Sequence, residues 1–81
     1  MNAEVPGEAR LARRLGKRIR ALREKKDLTQ TELGASPRGV VYFAKQHVWK
    51  MEAGVVTPTL PALAHFAKRL GTTIAALVKG L

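Results

Sequence analysis

The sequence predicts a single all-α domain built from five short helices, and three observations carry that prediction. No segment sustains the alternation of apolar and polar residues that a half-buried strand requires. Seven Gly and four Pro punctuate the 81 residues at intervals that suit short helices. Between these breaks, apolar residues recur at the spacing of one helical face.

Residues 1–7 hold Pro6-Gly7 and little to bury, and read as a loose N-terminal arm to a domain over 8–81. From about Glu8 to Lys25, Leu11, Leu15, Ile19 and Leu22 make one apolar stripe, the inner face of a first helix. Thr29-Gln30-Thr31-Glu32 is a capping box, with Leu28 and Leu33 placed as a hydrophobic staple. A second helix therefore starts at Gln30 and ends near Gly34-Ala35. Ser36-Pro37-Arg38-Gly39 reads as a turn. A third helix runs from about Ala44 to Ala53, with Val48 and Met51 inward and Gly54 as its stop. Thr57-Pro58-Thr59 breaks the chain and caps a fourth, with Leu60, Leu63, Ala67 and Leu70 inward and Gly71 as the stop. Thr73 caps a short fifth helix carrying Ile74, Leu77 and Val78.

Composition narrows the chemistry. With no cysteine, disulfides and thiolate metal sites are excluded. The histidines, His47 and His65, lie too far apart in sequence to read as a metal pair. A single Ser (Ser36) and a single Asp (Asp27) leave little for a catalytic triad. We therefore expect no enzyme, no metal and no cofactor. The apolar run Val40 to Ala44 is too short to span a bilayer. What stands out is charge: 15 Lys+Arg against 6 Asp+Glu, a net +9. Such an excess points first to nucleic acid and second to an acidic membrane surface. Nine of the 15 basic residues fall between Arg10 and Lys26.

Ile19-Arg20-Ala21-Leu22-Arg23, Leu28-Thr29-Gln30-Thr31-Glu32-Leu33 and Val48-Trp49-Lys50-Met51-Glu52-Ala53-Gly54 follow in order. Pro58-Thr59-Leu60 and the run Leu63 to Gly71 complete the series. Together they resemble the Cro/repressor (XRE-type) helix-turn-helix family over roughly residues 15–77. The resemblance implies a compact five-helix, lambda-repressor-like domain, usually dimeric, that binds double-stranded DNA. Its second helix would lie across the phosphate backbone and its third would enter the major groove.

Carried over by position, the resemblance makes Lys45, Gln46 and Lys50 the base readers, with His47 and Trp49 beside them. Lys can donate to guanine O6 and N7, and Gln can pair with adenine. For Trp49, contact with DNA and packing against neighbouring helices or the connection are both open. Thr29 and Gln30 fall at the phosphate-contacting start of the second helix. Arg38, Arg14 and Lys17 are further phosphate candidates. Arg23 and Glu52 match a structural pair joining the first helix to the end of the third. Pro58, Leu60, Ile74 and Val78 match a dimer surface, or else close the domain's own core. His65 is assigned no role.

One departure stands out. The connection between the second and third helices is longer than the family's usual spacing, the extra residues lying within Ser36 to Phe43. Either an enlarged loop presents Arg38 and tucks in Val41 or Phe43, or Ser36 and Pro37 open a longer third helix. The expected function is a sequence-specific regulator, a repressor by preference, acting as a cytoplasmic, nucleoid-associated homodimer. An antitoxin-like protein-interaction module, with a protein partner, is the alternative. No membrane role is expected, because the basic first helix lacks Trp or Phe on its apolar face. Without an effector domain, ligand sensing within this chain is not expected.

Overall fold

In the computed structural model, which describes residues 7–81, five helices follow in order. They are α1 (Glu8–Lys25), α2 (Gln30–Leu33), α3 (Lys45–Glu52), α4 (Leu60–Leu70) and α5 (Ile74–Val78). Of the expected arm, residues 1–6 lie outside the described residues. Gly7 precedes α1 with φ 83°, and its carbonyl accepts from the Leu11 N–H at 2.9 Å.

Local chemistry sets most of the boundaries. α2, α4 and α5 each begin after a threonine whose hydroxyl accepts a backbone N–H three residues on. The pairs are Thr29 with Glu32 (3.0 Å), Thr59 with Ala62 (3.3 Å) and Thr73 with Ala76 (3.0 Å). α1 and α3 lack such a cap, since neither Gly7 nor Ala44 carries a side-chain acceptor. Gly54 and Gly71 take left-handed conformations just past α3 and α4.

α1 ends differently. The Leu28 N–H donates to the Arg23 carbonyl and the Asp27 N–H to that of Glu24, which places Asp27 at φ 56°. That is a Schellman ending with aspartate at the position glycine usually fills. The left-handed conformation costs an L-residue about 1–2 kcal/mol, and a negative charge there opposes the helix dipole. Asp27→Gly should therefore raise stability by about 0.5–1 kcal/mol once glycine's greater unfolded-state freedom is subtracted. Thermal unfolding checks it, and a lowered midpoint would reject the account.

Each helix contributes to one core. Ile19 of α1, Leu33 of α2, Val48 and Met51 of α3, Phe66 of α4 and Leu77 of α5 are all but fully buried. Each such side chain contributes roughly 1.5–3 kcal/mol relative to exposure.

Two inward assignments change: Leu11 is 44% exposed and Leu60 67%, while Leu22 and Leu63 pack half-buried against the core as expected. On α1 the inner face is rolled toward Ala12 and Gly16, and the absence of a side chain at Gly16 admits the end of α3. On α4 the first residue, Leu60, stays outside, while Ala62 and Phe66 fill the centre. Pro58, expected at a dimer surface, is buried within the domain itself.

The enlarged connection is a loop, not an extension of α3. Ala35 bridges antiparallel to Val41, and the Ser36 N–H donates to the Val40 carbonyl at 2.8 Å. At the tip the Gly39 N–H donates to the Ser36 carbonyl at 2.9 Å, with Gly39 at φ 88°. A tight turn followed by a left-handed glycine is a standard three-residue hairpin connection. Of its apolar residues Phe43 packs against the core, whereas Val41 is 62% exposed.

Candidate nucleic-acid interface

The hairpin delivers the chain to the start of α3. Gly34 makes this possible: its carbonyl accepts both the Tyr42 and the Phe43 N–H at 2.9 Å. A side chain at Gly34 would collide with the Phe43 carbonyl, so only glycine lets the two strands cross so closely. α3 then turns Val48, Met51 and Glu52 inward. Lys45, Gln46, His47, Trp49 and Lys50 remain outside, and Trp49 is 53% exposed. His47 lies against the hairpin, its ring 5.7 Å from that of Phe43. From residue 34 to residue 51 the sequence has no carboxylate, while Arg38, Lys45 and Lys50 are all exposed. This face can donate hydrogen bonds and attract anions, with no local charge to oppose it.

Behind it, Glu52 joins three helices. Its carboxylate accepts Arg23 Nε on Oε2 at 2.6 Å and Arg23 Nη2 on Oε1 at 3.1 Å. A two-point bond of this kind fixes both distance and angle. Arg23 Nη1 also donates to the Leu28 carbonyl at 2.8 Å. This hydrogen bonding to Glu52 raises the Arg23 guanidinium above its ordinary value. Gln30 enters the same network, donating Nε2 to Glu52 Oε1 at 3.1 Å. Its side chain is thus turned inward, and the main-chain N–H at the start of α2 is what remains to face an anion.

Thr29 stands exposed at that end. Its N–H donates to Glu32 Oε1 at 2.9 Å, completing the capping box. That backbone bond, with the Thr29 hydroxyl, holds the Glu32 carboxyl below the ordinary range. The folded value lies below the unfolded one, so the stabilisation is present above the unfolded value of about 4.3 and fades as pH falls through the folded one. Glu32→Gln keeps an acceptor for Thr29 but does not titrate. Its stability should therefore fall less steeply than wild type between about pH 5 and pH 3. Superimposable acid limbs in urea unfolding would count against this.

Compared with known families, residues 14–78 match the Helix-turn-helix domain. The chain belongs to the helix-turn-helix family. The match spans α2, the hairpin and α3 together with most of α1 and all of α4 and α5. No curated protein matches the sequence. The family supports DNA binding, as the resemblance to Cro/repressor proteins implies.

Within the helix-turn-helix domain the remaining candidates are scattered. Lys17 is exposed on α1 and Arg38 at the hairpin tip. Arg14 instead donates to the Gly80 carbonyl at 3.1 Å. Its neighbour Arg18 donates to the carbonyls of Leu77 at 3.0 Å and Lys79 at 2.6 Å. Part of the α1 charge therefore caps the end of α5. Leu60 and Val78 are exposed and Ile74 is half-buried. Two residues given no role on sequence prove to hold α2 from α4. His65 Nε2 lies 2.8 Å from the Leu33 carbonyl, and Arg69 Nε reaches the carbonyls of Glu32 and Ala35. No local pattern signals such contacts, which join positions more than thirty residues apart. Among the described residues, no group of three His, Cys, Asp or Glu side chains could hold a metal, and no helix is long and apolar enough to cross a membrane.

Proposed function

We propose that the protein is a sequence-specific, double-stranded DNA-binding transcriptional regulator, a repressor that acts as a homodimer on a two-fold operator. The observation that carries this reading is the exposed, carboxylate-free face of α3, backed by the buried Arg23–Glu52 pair. α3 enters the major groove with Lys45, Gln46 and Lys50 at base edges and His47 and Trp49 at the flanks. The first N–H groups of α2, with Thr29, Lys17 and Arg38, face phosphates. Leu60, Ile74 and Val78 form the contact between protomers, which sets half-sites roughly 10 bp apart. The protein works in the cytoplasm at the nucleoid and carries out no catalysis.

Selection from random duplexes tests the reading, because it returns sequence preference, two-fold symmetry and spacing together. Gln46→Ala should relax preference at one or two positions, costing about 1–3 kcal/mol on the selected site. Equal binding to selected and random duplexes at physiological salt would end the sequence-specific claim. A second reading, a protein-interaction module, draws on Val40, Val41 and Tyr42. These three consecutive side chains are 54%, 62% and 59% exposed, and exposed apolar clusters commonly mark contact surfaces.

A further inference from the structure

Between the hairpin and α4 lies a cleft of about 240 Å³, lined by Ser36, Pro37, Tyr42, His65, Lys68 and Arg69. The DNA reading makes no use of it. Its lining holds two cations and no carboxylate.

The polar groups are already oriented. Arg69 is held from behind, with Nε donating to the carbonyls of Glu32 at 3.2 Å and Ala35 at 3.1 Å. A guanidinium fixed in this way presents its terminal nitrogens as a fork, the geometry that receives a carboxylate. His65 is fixed as well, since Nε2 at 2.8 Å from the Leu33 carbonyl must carry the proton. The His65 ring stands 5.3 Å from that of Tyr42, at 59°. Tyr42 is 59% exposed, so part of its ring is open to a ligand.

We propose that this cleft binds a single-ring aromatic carboxylate. The carboxylate meets Arg69 and Lys68, and the ring meets Tyr42, His65 and Pro37. Size supports the choice: an apolar cavity of about 150 Å³ accommodates benzene, so the cleft holds one ring and a carboxylate. Little of the binding energy is lost to ordering, because Arg69 and His65 are tied down beforehand. Three of the six lining residues belong to the hairpin, which runs through Phe43 and Ala44 into α3. An occupant therefore ties the hairpin to α4 and braces the approach to the reading helix. Such a site departs from the sequence expectation of a chain without ligand sensing.

The test is a titration of the ¹⁵N-labelled full chain with benzoate at constant ionic strength. It is done without DNA, so it stands or falls separately from the DNA reading. Saturable shifts should centre on Ser36, Tyr42, His65, Lys68 and Arg69, with half-saturation at about 1–10 mM. Lys68→Ala and Tyr42→Ala change exposed side chains and should each weaken binding at least about fivefold. Inorganic phosphate should move Lys68 and Arg69 without Tyr42. Shifts that stay linear, or that neither variant alters, would overturn the proposal. So would phosphate reproducing the benzoate pattern.

Discussion

Glu52→Ala is expected to destabilise the domain by about 3–5 kcal/mol, the loss typical when one partner of a buried ion pair is removed. The side chains of Glu52 and Arg23 are only 3% and 12% exposed. Both carboxylate oxygens are in use, and without them the guanidinium would keep only the Leu28 carbonyl. A domain of this size has of order 4–12 kcal/mol in total, so the variant should sit near the edge of folding. Arg23→Met combined with Glu52→Leu should recover most of the loss, because an apolar pair leaves no stranded charge. Urea unfolding of the single and double variants measures the coupling directly. If the double variant were no more stable than Glu52→Ala, lost packing would be the cause rather than uncompensated charge.

Gly16→Ala should cost about 2 kcal/mol even though alanine is the better helix former. Gly16 lies within α1, where its missing side chain faces the main-chain carbonyls of Met51 and Glu52. A methyl group there meets backbone, which cannot rotate away as a side chain would. The propensity gain of about 1 kcal/mol is outweighed by forcing α1 off the end of α3. The midpoint of thermal unfolding should drop by roughly 8–16 °C. Lys17→Ala, one residue on and exposed, should fall within about 0.5 kcal/mol of wild type and serves as the control. An unchanged midpoint for Gly16→Ala would mean that the helices do not meet as closely as described.

The sequence made the helix starts legible because their chemistry is local. Thr29, Thr59 and Thr73 each announce a helix within four residues, and the hydroxyl bonds lie where the pattern put them. The outward face of α3 follows from periodicity, with Val48 and Met51 on the inward side. What periodicity could not supply was the origin of each stripe. Leu11 and Leu60 fit their patterns but lie in the first turns of their helices and stay exposed, while Phe66, outside the expected stripe, is central. The hairpin was one of two open readings, since a single bridge and a left-handed Gly39 leave little trace in composition. Least legible were the polar ties across distance. Gln30 to Glu52, Arg69 to Ala35 and Arg18 to Lys79 depend on which helices become neighbours, and no short motif encodes that.

α2 is four residues long, and its last carbonyls are held by His65 and Arg69 from α4. So short a segment lies far below the length at which a helix persists unaided in water. The helix-turn-helix therefore does not constitute a cooperative unit of its own. Its order arrives when α4 docks, and any opening of α4 releases it. Folding stability and DNA competence then become one equilibrium rather than two. A variant that weakens α4 lowers occupancy of DNA without touching α2 or α3, in proportion to the fraction of chains still closed.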